Sequence, residues 1–364
     1  MEQAKMGIRE YVAIAVFVIS MKLTDDVPSI LYQNLLNAAW MAPIIMGIIA
    51  VIPIYLSIKV ILLYEGKSLL DIIVHLFGKY IGFVVLFLLF IILSLSIIVQ
   101  SAIYTDIVKT MYFTQTPSLA IYAILMGVSA YGASKGPMQI GSVAWLFLPY
   151  VKISLFLCLF LSIGYGHIDF LFPIMGPGLW EIIKESSIHL SIYMDFFYLC
   201  MLIPHIRNVK VLKKGTWVAL IILVIEMVIA IAAYIVLFDF TIIKLINYPL
   251  HEAIHFLPIG FLKNIEMFFF PFWLIATFVR FAVYLYLNAV LFGKVFKINR
   301  FEFIIPTVAT LIIFIGLIPD SPSYNLLGLR AKLIHYSTPV FFILPFILWI
   351  LAKFRGDFNN EKTK

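Results

Sequence analysis

The chain consists of long apolar runs separated by shorter polar segments. About ten of these runs hold the roughly 20 residues that a helix needs to cross the hydrocarbon core of a bilayer. They cover residues 8–37, 40–63, 80–108, 117–133, 141–163, 180–204, 215–238, 263–292, 301–318 and 334–353. The pattern predicts an all-α integral membrane protein with about ten transmembrane helices. Two longer connections, 164–187 and 239–262, are predicted to lie outside and to carry short surface helices.

The first apolar run is interrupted by polar residues at membrane depth. Thr24, Asp25 and Asp26 are closely followed by Pro28, and a second apolar stretch begins almost at once. Proline breaks the hydrogen-bond pattern inside a helix, and carboxylates are costly in hydrocarbon. Irregular backbone is tolerated at this depth only where it is buried in protein or lines a watery cavity. The run therefore predicts a broken first helix with a functional site at the break.

The composition supports the membrane assignment. Of the 364 residues, 63% are hydrophobic and 12% are charged, and the mean hydropathy is +1.06. A soluble domain of this size could not bury so much apolar surface. We attribute the net charge of +7 to cytoplasmic loops and expect no nucleic-acid partner. Cys158 and Cys200 both lie in apolar runs and are expected to remain free thiols.

The basic residues are distributed unequally between alternate loops. With the N-terminus inside, 17 of the 26 lysines and arginines fall in cytoplasmic segments and 6, including Arg330, fall in external ones. The other three, Lys22, Lys152 and Arg280, fall within the predicted spans. The excess of positive charge on one side predicts an even number of spans with both termini in the cytoplasm. We expect no cleavable signal peptide.

Short motifs occur in order along most of the chain. They are GKSLLDI at 66–72, FGK at 77–79, TPS at 116–118, LIP at 202–204, YPLHE at 248–252, and FLKNIE at 261–266 leading into FVR at 278–280. In their joint order they resemble the B-subunit of nutrient germinant receptors, a spore germination family within the amino acid/polyamine/organocation transporter superfamily. Each motif is short, and the resemblance depends on their order.

The resemblance implies a fold of the amino acid permease type with two inverted five-helix repeats. The repeats would cover residues 1–163 and 180–354 of a single transmembrane domain, followed by a cytoplasmic tail at 355–364. Spans one and six would both be broken near the midplane, with a substrate between them. The family usually has a glycine and a glutamate in span six, where this chain has Met194 and Asp195, so an acid is retained.

The polar and charged residues of the spans are the candidate site residues. We expect ligand contacts from the following side chains: Thr24, Asp25, Asp26, Gln100, Tyr104, Ser191, Tyr193 and Asp195. Three others would act as an internal cation or in charge coupling: Lys152, Arg280 and Glu226. Spans one, five and eight adjoin in the superfamily, so Lys152 or Arg280 is predicted to pair with Asp25 or Asp26 where relatives bind sodium. The alternative is a structural role, in which charge pairs and interhelical hydrogen bonds specify packing.

Two classes of function remain open, and a third is structural. The resemblance implies a subunit that binds a small nutrient germinant, such as an amino acid, and triggers germination with A-type and C-type receptor subunits in the spore inner membrane. The alternative is a proton-coupled secondary transporter for amino acids or amines, in which Asp25, Asp26 or Asp195 carries the proton. The third possibility is an assembly subunit with a vestigial pocket.

The chemistry of the chain narrows the ligand. Two aspartates at the break favour a ligand with an amine over a simple acid, unless neighbouring bases cancel their charge. The sequence shows no nucleophile–base–acid grouping, phosphate-binding glycine loop or metal-ligand spacing. We therefore expect neither an enzyme nor a cofactor nor a metal site.

Overall fold

The computed structural model describes residues 5–64, 66–257, 266–318 and 328–358, and within these ranges the chain forms helices but no β-sheet. The α-helices are α1 (Ile8–Ser20), α2 (Val27–Leu35), α3 (Ala42–Leu63), α4 (Leu69–Ile107), α5 (Ser118–Ser134), α6 (Pro137–Tyr165), α7 (Leu179–Ile188), α8 (Asp195–Leu199), α9 (Val209–Ile243), α10 (Pro249–Phe256), α11 (Glu266–Phe296), α12 (Ile305–Gly316) and α13 (Ala331–Phe354). The start of the predicted eighth span, most of the FLKNIE motif and the last residues of the tail lie outside the described residues.

Six helical stretches of the described chain are long and apolar enough to cross a membrane. They are Val27–Leu63, Leu69–Tyr112, Pro137–Tyr165, Val209–Ile243, Phe268–Phe296 and Gly328–Phe354. The bent pair Leu179–Ile188 and Leu190–His205 makes a seventh, and Ser118–Ser134 and Phe301–Gly316 are shorter apolar helices. Each predicted apolar run coincides with a helix or a pair of helices, so the all-α membrane fold is confirmed. The count of ten crossings and the division into two repeats remain predictions.

Two helices, α4 and α9, are longer than the apolar runs that predict them. In each, a second helical segment joins the apolar one across a sharp kink. In α4 the kink lies at Gly78, whose φ of 78° is readily adopted by glycine. In α9 it lies at Asp239, which has a φ of 64°. The predicted runs begin at 80 and end at 238, next to these kinks. The apolar parts of both helices therefore agree with the prediction.

The first predicted span is broken at the expected place. α1 ends at Ser20, a 3₁₀ turn covers Met21–Leu23, and the next three residues lie outside any helix before α2 begins. Pro28 occupies the first turn of α2, where a missing N–H leaves no hydrogen bond unmade. The Asp25 carboxylate accepts a hydrogen bond from the Val27 N–H at 3.0 Å and satisfies another free donor of that turn. The polar residues thus end one helix and start the next.

The sixth predicted span is also broken. After α7 the segment Leu190–His205 bends away by 49°. It contains a 3₁₀ turn at Leu190–Tyr193, the five-residue helix α8, and a second 3₁₀ turn at Cys200–His205. The tighter 3₁₀ turns disrupt the α-helical hydrogen-bond pattern, so backbone groups near Asp195 are open to other partners.

α1 lies in the centre of the bundle. Every residue from Tyr11 to Ser20 is buried, and α1 contacts α6, α9 and α11. A helix that is apolar all round needs cover on every side. By contrast, α4, α6 and α13 leave much of their apolar surface exposed, as lipid-facing helices do. This packing places the first break inside the protein.

Both described ends of the chain lie at the same end of the bundle. Met6 forms a backbone bridge with Ile206, and the Tyr64 hydroxyl donates to Asp357 at 2.5 Å. One surface pocket is lined by both Ile206 and Lys67. The Lys67 N–H donates to the Tyr64 carbonyl at 3.1 Å, so the two contacts are neighbours. This arrangement agrees with an even number of crossings. That this end faces the cytoplasm remains a prediction from the loop charges.

Candidate functional site

Arg280, in the middle of α11, is fully buried beside the first break. Its Nη1 donates to the Tyr104 hydroxyl at 2.5 Å and to the Asp25 carboxylate at 3.4 Å, and its Nη2 donates to the side-chain oxygen of Gln100. The guanidinium also lies 5.2 Å from the ring centroid of Tyr104, a favourable cation–π distance. The predicted pairing of Arg280 with an aspartate of the break is therefore present.

Arg330 brings a second guanidinium to the same break. It immediately precedes α13, and its nitrogens lie 3.7 Å from the Asp25 carboxylate and 3.6 Å from that of Asp26. The loop charges assigned Arg330 to an external loop, but the residue is buried because the start of α13 packs over the break. Neither oxygen of Asp26 has a hydrogen-bond partner within the described chain. Asp26 is thus stabilised by charge rather than by hydrogen bonds.

Lys22 connects the two broken helices. Its ammonium forms an ion pair with Asp195 at the start of α8 and donates to the Ile192 carbonyl at 2.5 Å. Lys22 lies in the 3₁₀ turn of the first break, and Ile192 lies in that of the second. The Tyr284 hydroxyl donates to Asp195 at 3.0 Å. One side chain therefore links the irregular backbone of both spans.

Aromatic side chains satisfy backbone and side-chain groups at the first break. The Tyr104 hydroxyl donates to the Met21 carbonyl at 2.7 Å, and the Thr24 hydroxyl donates to the same carbonyl at 2.8 Å. Trp273 donates its indole N–H to the Thr24 hydroxyl at 2.8 Å and stacks on Tyr104 with the ring centroids 5.4 Å apart. Since Tyr104 also accepts from Arg280, the broken backbone and the buried charges share one hydrogen-bond network.

Acidic and basic side chains are equal in number around the breaks. The charge cluster consists of Lys22, Asp25, Asp26, Asp195, Arg280 and Arg330. All six are buried, and a buried charge is tolerated only with a partner of opposite sign. With all six ionised the net charge is zero. The expectation that the aspartates favour an amine ligand therefore loses its basis, because three basic side chains balance them.

A small cavity lies beside the charge cluster. Its volume is about 30 Å³, and its lining includes Lys22, Gln100, Ser191, Asp195 and Arg330. Water fits such a space, whereas pockets for small-molecule ligands usually measure about 300–1,000 Å³. An amino acid can enter only if the lining moves. In the part of the chain that the structure describes, no cluster of His, Cys, Asp and Glu is arranged to hold a metal ion.

The expected residues of span six take different places. Ser191 lines the cavity, but its hydroxyl donates to the Ile334 carbonyl of α13 at 2.6 Å. Tyr193 does not line the cavity, because its hydroxyl points toward the Pro43 carbonyl and the Met227 sulfur, each 3.4 Å away. Neighbouring residues of a 3₁₀ turn project in different directions, which explains the separation. The structure thus brings Asp195 and Ser191 to the cavity, and not Tyr193.

Lys152 and Glu226 form a second ion pair, 2.6 Å long, outside the charge cluster; Glu226 is buried and Lys152 is partly buried. Lys152 also donates to the Ser20 hydroxyl at 2.8 Å. It reaches the last residue of α1 rather than the break, so of the two predicted alternatives Arg280, and not Lys152, pairs with an aspartate of the break. Glu226 lies in an apolar stretch of α9 and is paired there with Lys152. The pair therefore joins α6, α9 and α1.

Several members of the site were not assigned from the sequence. They are Lys22, Trp273, Tyr284 and Arg330. Tyr284 lies four residues after Arg280, hence on the same helix face, so helical spacing could have identified it. Lys22 lies in the 3₁₀ turn of the first break, and the sequence identifies it only as a base within a predicted span. Trp273 and Arg330 carry no local signal, since their partners lie in a distant part of the sequence.

The fold and the site together define a class of protein. Two broken helices meet around buried charges inside an all-α membrane bundle, which is an arrangement of permease-like membrane proteins. The chain belongs to the spore germination protein family, whose sequence profile matches residues 11–324. The family resemblance of the motifs is therefore confirmed.

Three curated relatives from Bacillus subtilis (strain 168) are similar to the chain. Spore germination protein KB is 24% identical over 375 aligned positions, which cover 100% of this chain and 98% of the relative. Spore germination protein B2 is 24% identical over 238 positions, 64% of this chain and 63% of the relative. Spore germination protein YndE is 21% identical over 323 positions, 87% of each. The similarity thus extends over the whole chain.

Proposed function

We propose that this chain is the B-type subunit of a germinant receptor in the spore inner membrane. It binds a small nutrient that carries both an ammonium and a carboxylate group, such as an amino acid, between the two broken helices. Binding then triggers germination through A-type and C-type partner subunits. Membership of the spore germination protein family and the position of the charge cluster support this proposal.

One observation carries the ligand class: the cavity between the breaks is lined by charges of both signs. Lys22 and Arg330 offer cations to a carboxylate, and Asp195 offers an anion to an ammonium group. The charge cluster is neutral as a whole, so a ligand without net charge leaves its balance unchanged. A ligand with one net charge would have to be compensated in a low-dielectric interior.

Ligand entry is coupled to movement because the cavity is small. At about 30 Å³ it must widen before an amino acid fits. Two contacts join residues of its lining: the Lys22–Asp195 ion pair and the hydrogen bond from Ser191 to the Ile334 carbonyl of α13. A ligand shifts the bundle to a wider conformation only through a difference in affinity between the two conformations. Such a shift is the signal that partner subunits would receive.

The test is nutrient-dependent germination of a spore strain whose own gene for this chain carries Lys22→Met and Asp195→Asn, which together remove one ion pair from the cavity lining and leave neither partner charged. We expect loss of the response at normal protein level, measured by immunoblot of spore membranes. Glu181→Gln is the matched control, since it changes an exposed acid paired with Lys184 on α7 and should leave germination unchanged. A normal nutrient response in the double variant would refute the proposed site.

A proton-coupled amino acid or amine transporter is the second candidate, and Asp26 favours it. Its carboxylate is buried without a hydrogen-bond partner among the described residues, so proton uptake breaks no hydrogen bond. Net accumulation of radiolabelled amino acid in proteoliposomes that contain this chain alone would support transport. Saturable binding without accumulation would support sensing.

A further inference from the structure

A second cavity opens at the end of the bundle that holds both described chain ends, away from the charge cluster. It is a groove of about 940 Å³ between α4, α11 and the turn at Cys200–His205. Most of its lining is apolar and includes Val74, Phe83, Val84, Met201, Val290 and Val295. The groove is as large as a typical small-molecule site, whereas the cavity at the breaks is not.

The outer wall of the groove is open to the side of the bundle. Tyr80, Phe83 and Val84 line it, yet Tyr80 is 81% exposed and Val84 is 62% exposed. They lie just after the kink at Gly78, in the first turns of the apolar part of α4. Exposed apolar side chains at this place in a membrane-spanning helix contact acyl chains, and tyrosine is common at the membrane interface. The groove therefore opens into the lipid phase.

Lysines line the polar part of the groove. Lys79, Lys294 and Lys297 all contribute to it and are exposed. Lys294 forms an ion pair with Asp71, which cancels its charge. Within the described residues, Lys79 and Lys297 have no carboxylate within 4.0 Å. Two uncompensated cations thus stand beside an apolar groove.

We propose that this groove binds one anionic phospholipid. Its phosphate contacts Lys79 and Lys297, and an acyl chain lies along Phe83 and Val84. Basic pockets between transmembrane helices bind lipid headgroups through this combination of charge and apolar surface. A small anion would use the lysines but not the apolar walls, and an apolar partner helix would use the walls but not the lysines. A phospholipid uses both.

The test measures lipid binding to the purified full chain in detergent by native mass spectrometry. Phosphatidylglycerol and phosphatidylcholine with identical acyl chains are titrated against wild type, Lys79→Gln, Lys297→Gln and the control Lys213→Gln, which removes an exposed lysine outside the groove. We expect each groove variant to bind phosphatidylglycerol about fivefold more weakly, from about 1 kcal/mol per lysine near an anionic headgroup. Phosphatidylcholine binding and the control should be unchanged.

Two further arms identify what the groove holds. Val84→Trp obstructs the apolar wall and should weaken binding of both lipids, and excess inorganic phosphate should not displace phosphatidylglycerol. Displacement by inorganic phosphate would show a small-anion site and overturn the proposal. Equal phosphatidylglycerol affinity of wild type and both lysine variants would also overturn it. So would lysine variants that keep lipid affinity but no longer co-purify with partner subunits.

Discussion

The ion pair between Lys22 and Asp195 is suited to a double-mutant cycle, because both side chains are buried and they join the two breaks. Lys22→Met leaves the Asp195 carboxylate with the Tyr284 hydroxyl, and Asp195→Asn leaves the ammonium with the Ile192 carbonyl. Removing one partner of a buried pair costs about 3–5 kcal/mol, since the other charge stays buried without compensation. We expect each single variant to lose stability by about this amount.

The variant Lys22→Met/Asp195→Asn leaves no uncompensated charge, so its loss should be smaller than that of either single variant, which corresponds to a coupling of at least about 3 kcal/mol. Purified variants in mixed micelles are unfolded with increasing SDS, and their free energies of unfolding are compared with wild type. The same cycle at the exposed pair Glu181–Lys184 is the control and should yield a coupling below about 1 kcal/mol. Additive losses at Lys22 and Asp195 would refute the reasoning.

Three further predictions concern other ionisable side chains. Arg280→Lys keeps the charge, but an ammonium group cannot reach all the acceptors of the guanidinium. The SDS titration should therefore show a free energy of unfolding lower by about 2 kcal/mol. An unchanged free energy of unfolding would contradict the role of Arg280 in holding the break. Lys152→Met leaves Glu226 without its cation and should abolish the nutrient response of spores, with partial recovery in Lys152→Met/Glu226→Gln; a normal response of the single variant at normal protein level would contradict this. In α10, outside the spans, burial together with the neighbouring His255 lowers the pKa of His251 to about 3. In the unfolded chain this imidazole has a pKa of about 6.5, so the unfolded state takes up the proton first as the pH falls. The free energy of unfolding therefore keeps its full value above about pH 6.5. It decreases as the pH falls toward 3, by about 2 kcal/mol at pH 5. His251→Gln should flatten the dependence of the melting temperature on pH, and parallel curves for variant and wild type would argue against it.

The first break could be predicted from neighbouring residues in the sequence alone. Thr24 to Pro28 predicted that the helix ends there, and α1 and α2 are separated at this place. The prediction succeeds because it depends on neighbours along the chain: a proline and two carboxylates cannot continue a lipid-exposed helix. The second break was expected from the family resemblance rather than from a comparable local signal, and Asp195 was assigned with it.

The ion pairs inside the protein could not be predicted from neighbouring residues in this way. Arg280 meets Asp25 as predicted, yet Lys152, also an intramembrane base, pairs with Glu226. Both lysine and arginine were plausible partners for the aspartates, and residue type alone could not choose between them. Arg330 was assigned to a loop because the chain around it carries no sign of burial.

The sequence by itself determined the class of protein, the approximate positions of the spans and the first break, because these depend on the length of apolar runs and on residues that cannot sit in lipid. Only the tertiary structure decided which base meets which acid and that the cluster is neutral. The reason is physical: in a low-dielectric interior a charge is stabilised by partners a few ångströms away, and the packing of helices from distant parts of the chain determines those distances.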